Sequence, residues 1–300
     1  LAADRIGVVT EKLFILGLGA QRAGTTWLHQ QLNRCDAVDM GFTKEYNALV
    51  NPKASLRGQW RRHRRRQEQL NASFGSARRF SHEEFLALPT EQKQLLMRVR
   101  HHHYLDYFDH LVADNPTIHA TGDISPYYAQ LHADRLRHIR RQLRRRGFTV
   151  KLIFLLRDPV DRIQSQLRLI RREGHVPELS RIADPDRALA VHYRSARCER
   201  HSRYEHTLAA IEAAFPANDV LVEFHERLFQ QHSHTRLARF LNLKLPPPEL
   251  TKKINAAPGP QFRDTNLLRA IAHHYAPTYT ACRERFGDQV EQLWPYARLV

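Results

Sequence analysis

The sequence predicts an α/β fold with buried parallel strands, and two stretches carry that prediction. Leu13–Leu18 is a short apolar run punctuated by Gly17 and Gly19, and Val150–Leu156 is a second, nearly uninterrupted one. Runs this short and this apolar suit strands covered on both faces. Each is followed by a turn and then by a helical pattern: Trp27, Leu28 and Leu32 after the first, Val160 onward after the second. Strand, turn and helix in succession belong to an open sheet flanked by helices.

The turn after the first strand holds Gly19, four residues, Gly24, Thr25 and Thr26. A glycine-bounded loop opening a helix gathers backbone N–H groups and the positive end of a helix dipole at one point, which suits a phosphate. It departs from a Walker A loop, which needs Gly-Lys followed by Ser or Thr. Thr25 stands where that lysine belongs, and the cation sits inside the loop at Arg22. That pattern holds a nucleoside triphosphate poorly and fits a nucleotide with a short 5′ chain.

Next comes Val38–Leu49, with Lys44-Glu45-Tyr46 at its centre. Residues 51–100 read as a basic insertion between core elements, carrying the run RRHRRR at Arg61–Arg66. His101-His102-His103 does not read as a metal site, because consecutive residues do not share a helix face. Leu105, Phe108, Leu111 and Val112 give a helical face, and Thr117–Thr121 leads into Gly122-Asp123-Ile124-Ser125-Pro126-Tyr127-Tyr128. A helix carrying Leu131, Leu136, Ile139 and Leu143 ends at Gly147 after a basic last turn that suits a helix C-terminus.

After the strand Val150–Leu156, Arg157 stands at the strand end, Asp158-Pro159 makes the turn, and Ser165 lies about two turns into the helix. An arginine at a strand end and a serine on the next helix can face one anion at the C-terminal edge of a sheet. A long helix is expected from Ser195 to Phe215, with Tyr204, Leu208 and Ile211 inward, then a strand at Val220–Phe224 closed by Glu226–Phe229. A short helix at Arg236–Leu241 and a final helix from about Asp264 through a kink at Pro277 to Phe286 complete the chain.

Taken with these motifs, the chain resembles the PAPS-dependent sulfotransferases. GAQRAGTTWL is similar to their 5′-phosphosulfate loop, and RDPxxRxxS, met by Arg157, Asp158, Pro159, Arg162 and Ser165, to their 3′-phosphate motif. The resemblance implies one P-loop-NTPase-like domain over residues 1–300, PAPS as sulfuryl donor, PAP as product and no metal. It assigns cofactor binding to Arg22, Ala23, Gly24, Thr25, Thr26, Trp27, Arg157 and Ser165. It adds Tyr204 from a Ser202-Arg203-Tyr204 element, and Lys253 and Asn255 from a closing loop. It makes Glu45 the general base on the acceptor, with Lys44 adding charge near the sulfuryl oxygens. Asp123, in a segment similar to the family's G-E/D-x-(S/T)-P-x-Y, becomes a second acidic group beside the transfer site or an acceptor ligand. Glycan enzymes often carry lysine where Ile124 stands. Arg22 stands where many relatives have lysine. A guanidinium stabilises charge on the leaving oxygen but does not hand over a proton.

Composition bounds the partners. A net charge of +16 over 300 residues calls for an anionic partner, although arginine-rich solvated helix faces account for part of it. The expected acceptor is a hydroxyl or amine, favoured on a carbohydrate or anionic glycan, with a lipid, a peptide tyrosine or a small metabolite as the alternatives. Cys35, Cys198 and Cys282 are too few for a disulfide framework or a zinc site. No stretch approaches the ~20 apolar residues of a membrane span. Few cysteines and no visible leader favour the bacterial cytoplasm, and a truncated Golgi lumenal domain would read the same. A P-loop kinase would need the missing lysine and a strand-end aspartate for Mg²⁺. Nucleic-acid binding through Arg61–Arg66 would need aromatics interleaved with the charge, and the run has none.

Overall fold

The computed structural model describes residues 12–50, 65, 68, 72, 80–174, 176–249 and 261–300. Five strands, β1 (Lys12–Gly19), β2 (Val38–Asp39), β3 (Ala120–Ile124), β4 (Phe148–Leu156) and β5 (Val220–Phe224), form one sheet in the order β2-β3-β1-β4-β5. Every pairing is parallel. The expected α/β class is therefore the observed one. β1 lies at the centre and is buried throughout except at Lys12, which is why its sequence is apolar without alternation. Phe14 packs edge-on against Phe108 and Phe148, at 5.1 and 5.7 Å between ring centroids.

The helices that matter for the site are α1 (Thr25–Asn33), α2 (His82–Ala87), α3 (Thr90–Val99), α4 (His101–Ala113), α5 (Ala133–Arg145) and α6 (Pro159–Glu173). α5 is apolar on one face only, where Leu136, Ile139 and Leu143 are buried. Of the stretch read as a basic insertion, Arg61–Arg64 and Arg66 lie outside the described residues, and Arg65 is exposed. Residues 80–99 form α2 and α3, which bury Phe85, Leu96 and Met97 in the core.

Three local expectations change. The segment Ala120–Ile124 is a fully buried strand. Its Gly122 is required by a close approach, since a Cβ there would lie 2.2 Å from the carbonyl oxygen of Ile15. The continuous helix expected over 195–215 is broken at Arg203, which leaves the helical region with φ −81° and ψ 77°. Ser202 Oγ, just before the break, donates back to the carbonyl of Cys198 at 2.8 Å, a local bond that competes with helix continuation. The last helix is two, Thr265–His274 and Ala276–Phe286, and Pro277 sits in the first turn of the second, where its missing N–H costs nothing. No helix among the described residues is long and apolar enough to cross a membrane.

Candidate active site

At the C-terminal end of β1 the chain turns through residues 19–24 into α1. Gly24 caps α1 in the left-handed region, with φ 101°, and no side chain caps the helix. The first-turn N–H groups, which have no partner within a helix, are thus not taken by a cap. Ala23 is the exception among the expected anion-holding amides. Its N–H closes the loop on itself by donating to the Ala20 carbonyl at 3.2 Å. Arg22 also adopts positive φ, 69°. His225, just after β5, packs on the loop beside Ala23, and burial pushes its pKa down to about 4.

The loop meets the β4–α6 turn directly. Arg22 Nε donates to Ser165 Oγ at 3.0 Å, and Arg157 Nη1 donates to the carbonyl of Arg22 at 3.0 Å. Two guanidiniums and a hydroxyl therefore share one place at the C-terminal edge of the sheet. Burial, and then Arg157, pull the Arg22 guanidinium below its ordinary pKa. Arg157 Nε is buried without a hydrogen-bond partner among the described residues. A buried orphan N–H beside a second cation is a donor lacking its acceptor, and a phosphate oxygen is an acceptor of the right charge. The residues present fit a nucleotide phosphorylated at both ends.

The remaining motif residues support this edge from behind. Asp158 caps α6 by accepting from Val160 N at 2.9 Å and also takes the Tyr279 hydroxyl and Tyr296 N–H. Burial pushes its carboxyl up to about 7. Arg162 is wholly buried and donates through Nη2 to Gln166 Oε1 and Ser202 Oγ. Gln166 in turn donates to Gln21 of the loop at 2.6 Å. The side chains of two expected cofactor contacts turn inward. Tyr204 is buried, and its hydroxyl donates to the Arg157 carbonyl at 2.9 Å, so it braces the arginine from inside. The Trp27 ring packs edge-on against Phe229 at 5.5 Å and donates to the Glu249 carbonyl, so it anchors α1 in the core. Lys253 and Asn255 lie outside the described residues.

On the other side of the loop, Lys44 Nζ donates to Thr26 Oγ1 at 3.1 Å and pairs with Glu45 Oε1 at 2.6 Å. That bridge brings the Lys44-Glu45 pair to the first turn of α1. Glu45 remains partly open, with 35% of its side chain exposed. His29, one turn after Thr26, feels Lys44, and burial with that charge lowers its pKa to about 4. Its only sequence signal is its helical spacing from the loop, and His225 has none.

Asp123 does not reach the open face. It is fully buried, and its carboxylate accepts from Ser125 Oγ at 2.6 Å, Tyr104 hydroxyl at 3.1 Å and Tyr128 hydroxyl. The expectation of a second acidic group beside the transfer site is corrected by that enclosure. One group of three metal-ligand side chains occurs among the described residues, His82, His110 and Asp114. The two imidazoles are stacked, 4.0 Å apart and 26° from parallel, and both face the Asp114 carboxylate, at 3.8 and 3.6 Å.

Comparison with known proteins gives the family and the fold. A family model described as the sulfotransferase family matches residues 13–247. No curated protein sequence matches the chain. Among solved structures, the sulfotransferase from Alicyclobacillus acidocaldarius is similar over 96% of this chain and 98% of its own, with 16% identity and a TM-score of 0.58. The sulfotransferase domain from the curacin biosynthetic pathway aligns over 83% and 80%, with 18% identity and a TM-score of 0.43. With the matching model spanning both the glycine-bounded loop and the Arg157–Ser165 turn, the chain belongs to the sulfotransferase family.

Proposed function

We propose that the chain transfers a sulfuryl group from PAPS to a hydroxyl or amine of a carbohydrate acceptor. The observation that carries this reading is the meeting of Arg22, Arg157 and Ser165 at one sheet edge. Two anion-binding motifs joined there suit a nucleotide with phosphates on both its 5′ and 3′ positions. First-turn amides from Gly24 to Thr26, with the two threonine hydroxyls, would hold the 5′ side. Arg157 and Ser165 would hold the 3′ side.

When bound, PAPS supplies an activated sulfuryl group and leaves as PAP. Glu45 accepts the proton of the attacking hydroxyl, and its partial exposure leaves an acceptor room to reach it. Lys44, fixed between Thr26 and Glu45, sets positive charge near the sulfuryl oxygens and holds the base in place. Arg22 stabilises negative charge on the leaving oxygen as a fixed cation. The basic net charge and the Lys-Glu-Tyr segment favour an anionic glycan over a neutral small molecule.

Calorimetric titration with PAP and with ATP tests the donor site. PAP is expected to bind, and Arg157→Ala to abolish that binding. ATP binding preferentially would turn the reading toward a kinase. Turnover of PAPS against a panel of glycans, phenols and peptides then identifies the acceptor.

A further inference from the structure

The segment Met40–Val50 that carries Glu45 has no helix or strand of its own, and Asn47 within it takes a positive φ of 52°. Something outside the segment must hold its shape. Four consecutive backbone N–H groups lead to one buried carboxylate. Tyr46 N–H faces the Asp123 carboxylate closely enough to favour its charged form. Asn47 N donates to Ser125 Oγ at 3.0 Å, and Ser125 Oγ donates to Asp123 Oδ1. Ala48 N and Leu49 N both donate to the Tyr128 hydroxyl, at 3.0 and 3.3 Å, and that hydroxyl donates to Asp123 Oδ2.

The chemistry of this arrangement is specific. A hydroxyl that accepts a backbone N–H while donating needs an acceptor on its far side. A carboxylate has lone pairs for several donors at once, whereas a carboxamide presents an NH₂ to half of them. From the structure we infer that Asp123 is a positioning residue. Through Ser125 and Tyr128 it fixes residues 46–49, and so aims Glu45 at the reacting hydroxyl. This inference rests on the reading of Glu45 as the base. Gln94 Nε2 and Arg98 on α3 hold the carbonyls of Glu45 and Tyr46 from the opposite side, so the segment is clamped between α3 and the Asp123 network. Tyr104 offers an internal control. Its hydroxyl donates to Asp123 at 3.1 Å, yet no backbone N–H of residues 46–49 reaches it among the bonds described.

The test compares Asp123→Asn, Ser125→Ala, Tyr128→Phe, Tyr104→Phe and Glu45→Gln in the full chain. Hydrogen exchange of the 46–49 amides is read first, since it needs no acceptor. Exchange there is expected to rise at least about tenfold in the first three variants, one bond's worth or more. It stays at the wild-type level in Tyr104→Phe, and amides 24–28 stay unchanged in all. With the best acceptor of the panel, kcat is expected to fall about 100-fold in Asp123→Asn, since misaiming a base by about 1 Å costs that much. PAP affinity is kept. Adding Tyr128→Phe to Glu45→Gln lowers kcat little further. Tyr104→Phe lowers the melting temperature but spares kcat. Unchanged exchange at 46–49 in Asp123→Asn overturns the inference, as does an equal kcat loss in Tyr104→Phe. Normal turnover by Glu45→Gln would instead remove Glu45 as the base, and the exchange measurement would still decide what Asp123 holds.

Discussion

Arg22 Nε lies 3.0 Å from Ser165 Oγ, although 143 residues separate them in the chain. On the proposed reading this contact ties the 5′ loop to the 3′-side hydroxyl, and turnover needs the Arg22 charge at the leaving oxygen on the 5′ side. Arg22→Ala is expected to lower turnover about 100- to 1,000-fold, the scale for one fixed electrostatic donor. PAP affinity should fall far less, because Arg157 bonds to the Arg22 backbone, which the substitution keeps. Stopped assays of PAPS consumption with parallel calorimetry separate the two. A near-normal rate would strip Arg22 of its role.

Tyr204→Phe removes the donor to the Arg157 carbonyl without altering the buried ring. A net loss of about 1 kcal/mol in stability is expected from one hydrogen bond. Because the bond braces the residue proposed to hold the 3′ phosphate, PAP should bind several-fold more weakly. An unchanged dissociation constant would mean that the Arg22 carbonyl alone orients Arg157.

At Gly24 a side chain meets two obstacles. The backbone φ is +101°, and a Cβ would come within 2.4 Å of Leu228 Cδ2. Gly24→Ala therefore costs about 1–3 kcal/mol from backbone strain, with displacement of the Leu228 side chain as well. Urea unfolding should show the loss, and PAP binding should weaken with it, since the same turn sets the α1 amides. A variant as stable as wild type would refute the strain.

Stability against pH follows from opposing groups. Burial lowers His29, His101, His103 and His225 to about 4 and His192 and His201 to about 3. Between those values and the ordinary histidine pKa the unfolded chain binds protons that the native state refuses, so acid destabilises. Burial raises Asp158 to about 7 and Asp123 and Glu226 to about 6. There the native state binds the extra proton, and the stability this contributes is present at low pH and lost as pH rises toward 7. Six histidines outweigh three carboxyls, so the melting temperature should fall from pH 7 to pH 5. Asp158→Asn removes an opposing group and the acceptor of Tyr296 N–H. Its melting temperature should be lower throughout and fall more steeply with acid. A shallower fall would show that the carboxyl of Asp158 is not raised.

The strands β1, β4 and β5 were legible because each is a run of apolar residues, and the phosphate loop because its glycines stand between a strand and a helix. β3 was not, because Ala120-Thr121-Gly122-Asp123-Ile124 owes its burial to neighbours rather than to its own hydropathy. Gly122 is small because Ile15 lies against it, and Asp123 is tolerated because hydroxyls from Tyr104, Ser125 and Tyr128 surround it. The same limit applies to Tyr204 and Trp27. Motif spacing marks them as expected nucleotide contacts, but which way a ring turns is decided by partners such as Phe229 and the Arg157 carbonyl that lie far away in sequence. That the two motifs reach one sheet edge could be read because each follows a strand of a parallel sheet, but the direct Arg22–Ser165 contact could not.

The order β2-β3-β1-β4-β5 also bears on how the chain is made. Its first strand has no long neighbour until Ala120–Ile124 and then Phe148–Leu156 leave the ribosome. At roughly 5–20 residues per second, Leu13–Leu18 waits on the order of ten seconds, an oily segment with nothing beside it. Nascent chains halted before residue 148 should cling to holdase chaperones and precipitate when released, whereas chains that extend past β4 can close the centre of the sheet and escape.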